Sequence, residues 1–109
     1  MPHIVFRNLE KNNFEKIVNE LKETLPDIIG CPNHKITYNL IESYTLIDQK
    51  DSNLFTFVNI SYIERPKDIQ DKVALTLDTA LRALGKDNIA INFTYLNKQA
   101  YYDNMEQKK

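Results

Sequence analysis

Two stretches of the chain, one in each half, carry apolar residues at helical spacing between runs of β-branched and aromatic residues. This duplicated strand-helix-strand order restricts the fold more than any other feature. In the first half Phe14, Ile17, Val18, Leu21 and Leu25 fall on one helical face, with Asn12 or Asn13 as the expected N-cap and Pro26 as the stop. Residues 3–8 before this helix and Lys35 to Ile47 after it have strand character, and the second run is entered through a turn at Gly30, Cys31 and Pro32. After a turn at Gln49 to Asn53, Leu54 to Ile63 reads as a strand, Pro66 to Leu84 as a helix, and Ile89 to Leu96 as the last strand. Ile69, Val73, Leu77, Ala80, Leu81 and Leu84 form the core stripe of the second helix. Pro66 suits its first turn and Gly85 the left-handed position after its end. A crossover helix returns the chain parallel to its first strand, so both helices cover one face of a common sheet. The expected architecture is an α/β two-layer sandwich. With 109 residues it forms one domain, 1–109, made of halves at about 1–50 and 54–102 and a polar, frayed tail at 103–109.

The strand faces carry a second inference. Leu54, Thr56, Val58, Ile60 and Tyr62 alternate with Phe55, Phe57, Asn59, Ser61 and Ile63, and Ile89, Ile91, Phe93 and Tyr95 alternate with Ala90, Asn92, Thr94 and Leu96. The first face of each strand suits the helices. The other is neutral, with Asn and Ser where a solvated sheet would carry Lys and Glu, and is read as covered by another subunit.

Composition narrows the function classes. Fourteen Lys and Arg against 15 Asp and Glu leave a net charge of −1, which offers no general attraction to nucleic acid or to an anionic membrane. The single Cys31 cannot form an internal disulfide, and no segment resembles a signal peptide or a membrane span, so a cytoplasmic location is expected. Cys31 and His34 are spaced like half of a metal site whose other half is missing, so no metal and no cofactor is expected. A chain with two glycines holds no glycine-rich phosphate loop, and Cys31, His3 and His34 lack the surroundings of a nucleophile and its base.

Two positions remain. Pro2 stands behind Met1 at the head of the apolar run Pro2-His3-Ile4-Val5-Phe6. Removal of Met1 would leave a secondary amine there, and burial or a neighbouring cation would lower it below the usual α-amino value of about 8, making it a base at neutral pH. Arg65, in Glu64-Arg65-Pro66-Lys67, stands where a strand hands over to a helix. Guanidinium beside free backbone N–H groups can hold a carboxylate. Taken singly, Pro2 is a tolerated strand-opening residue and Arg65 a solvated helix-end residue; together in one fold they suggest a site.

With these residues placed, the chain resembles the tautomerase superfamily, which includes macrophage migration inhibitory factor, oxalocrotonate tautomerase and carboxymethyl-hydroxymuconate isomerase. The resemblance rests on Met1-Pro2-His3-Ile4-Val5-Phe6-Arg7, on Arg65 before a helix containing Gln70-Asp71-Lys72, on Tyr101-Tyr102, and on the tandem βαβ order. It is greatest to an uncharacterised bacterial branch of tautomerase-like proteins. It implies a four-stranded mixed sheet, a homotrimer (a hexamer as fallback) packed through the sheets, and a cofactor-independent tautomerase or isomerase. In that reading Pro2 is the general base for keto-enol or double-bond isomerisation of a small carboxylate-bearing keto or enol acid. Arg65 would bind the carboxylate, and Asn92 would lie in the pocket. The second cation is open between Lys35 and Arg7, because Cys31-Pro32-Asn33 lacks the lysine that the inhibitory factor carries there. Tyr101 and Tyr102 are read as interface packing or pocket-rim residues. A non-catalytic trimeric binding module of the same fold is the alternative function, and a ferredoxin-like regulatory domain the alternative topology.

Overall fold

A computed structural model describes residues 2–43, 46–47, 50–51 and 55–107. Met1 and Leu54, which figure in the sequence expectations, lie outside the described residues, as does most of the Gln49 to Asn53 turn. Strand β1 (His3–Arg7) is followed by α1 (Lys11–Leu21), α2 (Leu25–Ile29), a 3-10 turn at Asn33–Lys35 and β2 (Thr37–Ile41). Short strands β3 (Leu46–Ile47) and β4 (Lys50–Asp51) pair with each other. Strand β5 (Phe55–Tyr62), helix α3 (Lys67–Ala83) and β6 (Asn88–Tyr95) complete the second half, and β7 (Tyr102–Asp103) pairs with β8 (Glu106–Gln107).

The main sheet has the order β2-β1-β5-β6. β1 is parallel to β2 and antiparallel to β5, and β5 is parallel to β6, so each crossover joins a parallel pair and the pairs meet back to back. A ferredoxin-like order is thereby ruled out, because there the halves interleave. The expected mixed four-stranded sheet with helices against one face is the observed one.

Alternation along β5 is complete. Thr56, Val58, Ile60 and Tyr62 are fully buried beneath the helices, while Phe55, Phe57, Asn59 and Ser61 are partly exposed on the open face. Ile4 and Phe6 of β1 join them in a core closed by Ile17 and Leu21 of α1, Leu25 and Ile29 of α2, and Val73, Leu77, Ala80 and Leu81 of α3. Phe14, Val18, Ile69 and Leu84 flank this core, as their helical spacing requires.

Four local expectations are corrected. Pro26 does not stop the first helix near Leu25: α1 already stops at Leu21, and Pro26 sits in the first turn of the new helix α2, where its missing N–H costs nothing. The run from Lys35 to Ile47 is not one strand, because β1 offers partners only from His3 to Arg7, which match Thr37 to Ile41. Glu10 rather than Asn12 or Asn13 caps α1, held by Lys86, whose Nζ lies 2.7 Å from its carboxylate and whose side chain is only 8% exposed. The tail is not frayed as far as Gln107, since Asn104 and Met105, at φ 53° and 67°, turn it back into the β7–β8 hairpin. Gly85, at φ 88°, does take the left-handed position after α3. Its N–H bonds to the Arg82 carbonyl, and the Lys86 N–H bonds to that of Leu81.

Candidate active site at the head of the first strand

Pro2 is buried at the start of β1, and its carbonyl accepts a 3.0 Å hydrogen bond from the Thr37 N–H. Continuing the strand register one row past His3 sets Pro2 between Ile36 and Tyr62, and Tyr62 in turn pairs with Tyr95. Ile36 and Tyr62 are both buried. The head of β1 therefore lies in an apolar row with an aromatic wall, the environment that disfavours a protonated amine.

Arg65 enters just beyond the end of β5. Its guanidinium carbon stands 5.4 Å from the centroid of the Tyr62 ring, which also packs on Phe93 and stacks on Tyr95. Nη1 donates to the Ile63 carbonyl at 2.5 Å and Nε to the Ile29 carbonyl, at the end of α2, at 3.5 Å. Two backbone carbonyls and one ring fix its orientation, yet among the described residues it forms no ion pair. A partly buried cation so held, with donors to spare, is suited to a carboxylate ligand. The N-terminal turn of α3 follows at once, with Pro66 as an N-cap whose side chain makes no capping hydrogen bond.

Tyr62 places the two features at the same end of the sheet, since the strand register sets it beside Pro2 and Arg65 lies over its ring. Burial raises the Cys31 thiol above the ordinary value, and the positive charge of Arg65 opposes that rise. Tyr38 is pushed up to about 12, first by burial and then by Cys31, and burial also raises Tyr62, with Tyr95 adding to it. The hydroxyls of Tyr38 and Tyr62 are buried without a hydrogen-bond partner among the described residues.

The other anticipated residues separate. Lys35 ends the 3-10 turn one residue before Ile36, which brings its backbone to the Pro2 end of the sheet. Arg7 ends β1, about 16 Å from Pro2 at a strand's rise per residue. It lines a depression of about 310 Å³ on the open face with Val5, Ile41, Phe57 and Asn59. Asn92 is on that open face too, donating to Asn59 Oδ1 at 2.8 Å, three rows from Pro2 and on the other side of the sheet. Within one chain neither Arg7 nor Asn92 joins Pro2 and Arg65. Tyr102 is exposed, whereas Tyr101 bonds to His3, the residue next to Pro2, at 2.8 Å. Tyr62 is not anticipated beside the candidate site, and His3 is weighed only as a nucleophile's base and set aside. A tyrosine closing an otherwise aliphatic core stripe was a readable signal for the first; a contact between positions 3 and 101 has no sequence signature.

Among the described residues no three His, Cys, Asp or Glu side chains gather as a metal site would need, and no helix is long and apolar enough to cross a membrane.

This sheet order, with helices against one face, is the fold of the tautomerase and migration-inhibitory-factor group, and solved structures agree. A macrophage migration inhibitory factor-like protein from Entamoeba histolytica superposes with a TM-score of 0.70 at 22% identity, covering 94% of this chain and 95% of its own. Pt0534, solved after inactivation by 2-oxo-3-pentynoate, superposes with a TM-score of 0.76 at 10% identity, over 94% of this chain and 89% of its own. A protein from Sebaldella termitidis ATCC 33386, described as a domain of unknown function (DUF1904), gives a TM-score of 0.92 at 24% identity over 98% and 99% of the two chains. The chain belongs to that family, the domain of unknown function DUF1904, whose pattern matches residues 1–107. No curated protein matches it in sequence.

Proposed function

We propose that the chain is a cofactor-independent tautomerase or isomerase acting in the cytoplasm on a small carboxylate-bearing keto or enol acid, with Pro2 as its base once Met1 is removed. The observation that carries the reading is the joint placement of buried Pro2 and Arg65 around Tyr62, which the strand register sets beside Pro2 and whose ring lies under the guanidinium. The secondary amine takes a proton from carbon or oxygen, Arg65 holds the carboxylate and the charge developing beside it, and prolinium returns the proton to the other atom. Lys35 is the nearer candidate for a second cation. Arg7 and Asn92, on the open face, would enter such a site only across a subunit boundary. That face supports a homotrimer: its rows read Thr37-His3-Ser61-Thr94 and Asn39-Val5-Asn59-Asn92, with Arg7 as the charged residue beside Ile41, Phe57 and Ala90.

The test begins with intact mass, to establish whether Met1 is present, followed by a keto-enol assay with a phenylpyruvate-like acid. Processed protein should be active, Pro2→Ala should lose on the order of 100-fold or more by loss of the positioned base, and protein retaining Met1 should be inactive. 2-Oxo-3-pentynoate, which inactivates Pt0534, offers a second arm. Addition of one reagent to the Pro2 amine would raise the mass of processed protein alone. Equal activity with and without Met1 would remove Pro2 as the base, and inactivity of both forms would favour the binding-module reading.

A further inference from the structure

His3 lies on the open face, one residue after Pro2, and both of its ring nitrogens are engaged. Nδ1 is 2.7 Å from the Thr37 hydroxyl on β2, and Nε2 is 2.8 Å from the Tyr101 hydroxyl, ninety-eight positions along the chain. The His3 and Tyr101 rings also approach to 6.0 Å between centroids. Thr37 is the residue whose backbone N–H holds the Pro2 carbonyl, so side-chain and main-chain bonds from one residue fix both Pro2 and His3, the first residue of β1. Tyr101 itself directly precedes the β7–β8 hairpin.

We propose that His3 is a positioning residue for the Pro2 amine, and that Tyr101 is the latch through which the segment at 101–107 holds the head of β1 in place. The proposal rests on the reading of Pro2 as base. A strand's first residue has ladder bonds on one side of it only, so its nitrogen swings unless the next residue is anchored. Here the anchor is an imidazole clamped from two sides. A neutral imidazole has one donor and one acceptor, and two hydroxyls satisfy both in either tautomer. The charged groups acting on His3 are the amino terminus of the unprocessed chain and Asp103. Burial first and that amino terminus second hold the imidazole below its ordinary value, with Asp103 opposing, so the neutral ring is favoured. Releasing Tyr101 would let water reach the ring and the strand head, and the amine would return towards an ordinary α-amino value.

The decisive variant is Tyr101→Phe, which removes one oxygen and keeps the ring packed on His3. In protein lacking Met1, kcat should fall about tenfold with KM changed less than about twofold, as for a reacting group misplaced by a fraction of an ångström. His3→Gln, which can still bond to Thr37, should retain more activity than His3→Ala. An activity-free arm follows the Pro2 amine by NMR titration of proline-labelled protein, where Tyr101→Phe and His3→Ala should both raise its pKa. Unchanged kcat and unchanged amine titration in both variants would overturn the latch even if Pro2→Ala is inactive. An amine shift in the variants, with Pro2→Ala fully active, would keep the latch and discard Pro2 as the base.

Discussion

Tyr62→Phe should stabilise the protein, the opposite of what most core substitutions do. The side chain is fully buried, and its hydroxyl has no hydrogen-bond partner among the described residues. A buried hydroxyl that exchanges water for nothing costs about 1–3 kcal/mol. The substitution removes that cost. Phe keeps the ring on which Phe93 packs and over which Arg65 lies, so those contacts persist. The void left by one oxygen, on the order of 10–15 Å³, costs only about 0.3 kcal/mol at the usual price per unit of cavity volume. The net expectation is a gain of about 1 kcal/mol or more, equivalent to a rise in Tm of about 4 °C. Urea unfolding followed by circular dichroism at fixed protein concentration is the measurement, and the midpoint should rise without a change in slope. A loss of more than about 0.5 kcal/mol would refute the reasoning, because it would mean that the hydroxyl does have a partner, such as a buried water.

Tyr38 gives a pH test: its folded pKa is raised to about 12, so the neutral form is favoured by folding. Stability should be unaffected below the unfolded value of about 10 and fall as pH rises from there towards the folded value, a slope that Tyr38→Phe should flatten in alkaline urea titrations. For the Glu10–Lys86 pair, Glu10→Gln should destabilise more than Lys86→Met, because the lysine is only 8% exposed and would be left charged without its carboxylate. Glu10 is lowered chiefly by the Lys86 hydrogen bond, so the pair's contribution is present above the unfolded carboxylate value and is lost as pH falls through the folded one. Midpoints for the wild type and Glu10→Gln should therefore converge in acid. Gly85→Ala should cost about 1–2 kcal/mol through its positive φ alone, since nothing lies within 4 Å of the added carbon, and Gly85→Asn should cost less in thermal melts. Arg65→Ala should lower kcat/KM for carboxylate substrates by about 10- to 100-fold, the equivalent of one charge-assisted pair, with circular dichroism unchanged. An unchanged rate would return Arg65 to a helix-end role.

Residues that obey a period were legible in advance. The alternation of Thr56, Val58, Ile60 and Tyr62 against Phe55, Phe57, Asn59 and Ser61 set the core face of β5, and the stripe from Val73 to Leu81 set that of α3, because burial repeats with the geometry of each element. Boundaries fixed by partners were not legible. Nothing in Lys35 to Ile47 says that β1 stops at Arg7, and nothing near Glu10 announces Lys86. The site divides in the same way. Pro2 and Arg65 were legible as candidates because chain position and a strand-to-helix junction single them out, and the fold brings both to one end of the sheet. Asn92 and Arg7 had the right residue types, but the pleat turns them to the opposite face. His3 and Tyr101 meet only because the end of the chain folds back beside its beginning.

The sheet order has a further consequence. β1 with β2 and β5 with β6 are equivalent parallel pairs related by an approximate twofold axis running between β1 and β5. Under that axis the counterpart of the head of β1 is the head of β5, at the opposite end of the sheet, where the chain runs on through a peptide bond into Phe55. The architecture is doubled but the amine is not, because a polypeptide has one beginning. Two separate halves, the second opened by a proline in front of β5, would restore the missing counterpart and carry two secondary amines at opposite ends of one sheet. Symmetry in the backbone thus fixes where a counterpart to the amine proposed at Pro2 could be installed, and connectivity alone keeps it from being there.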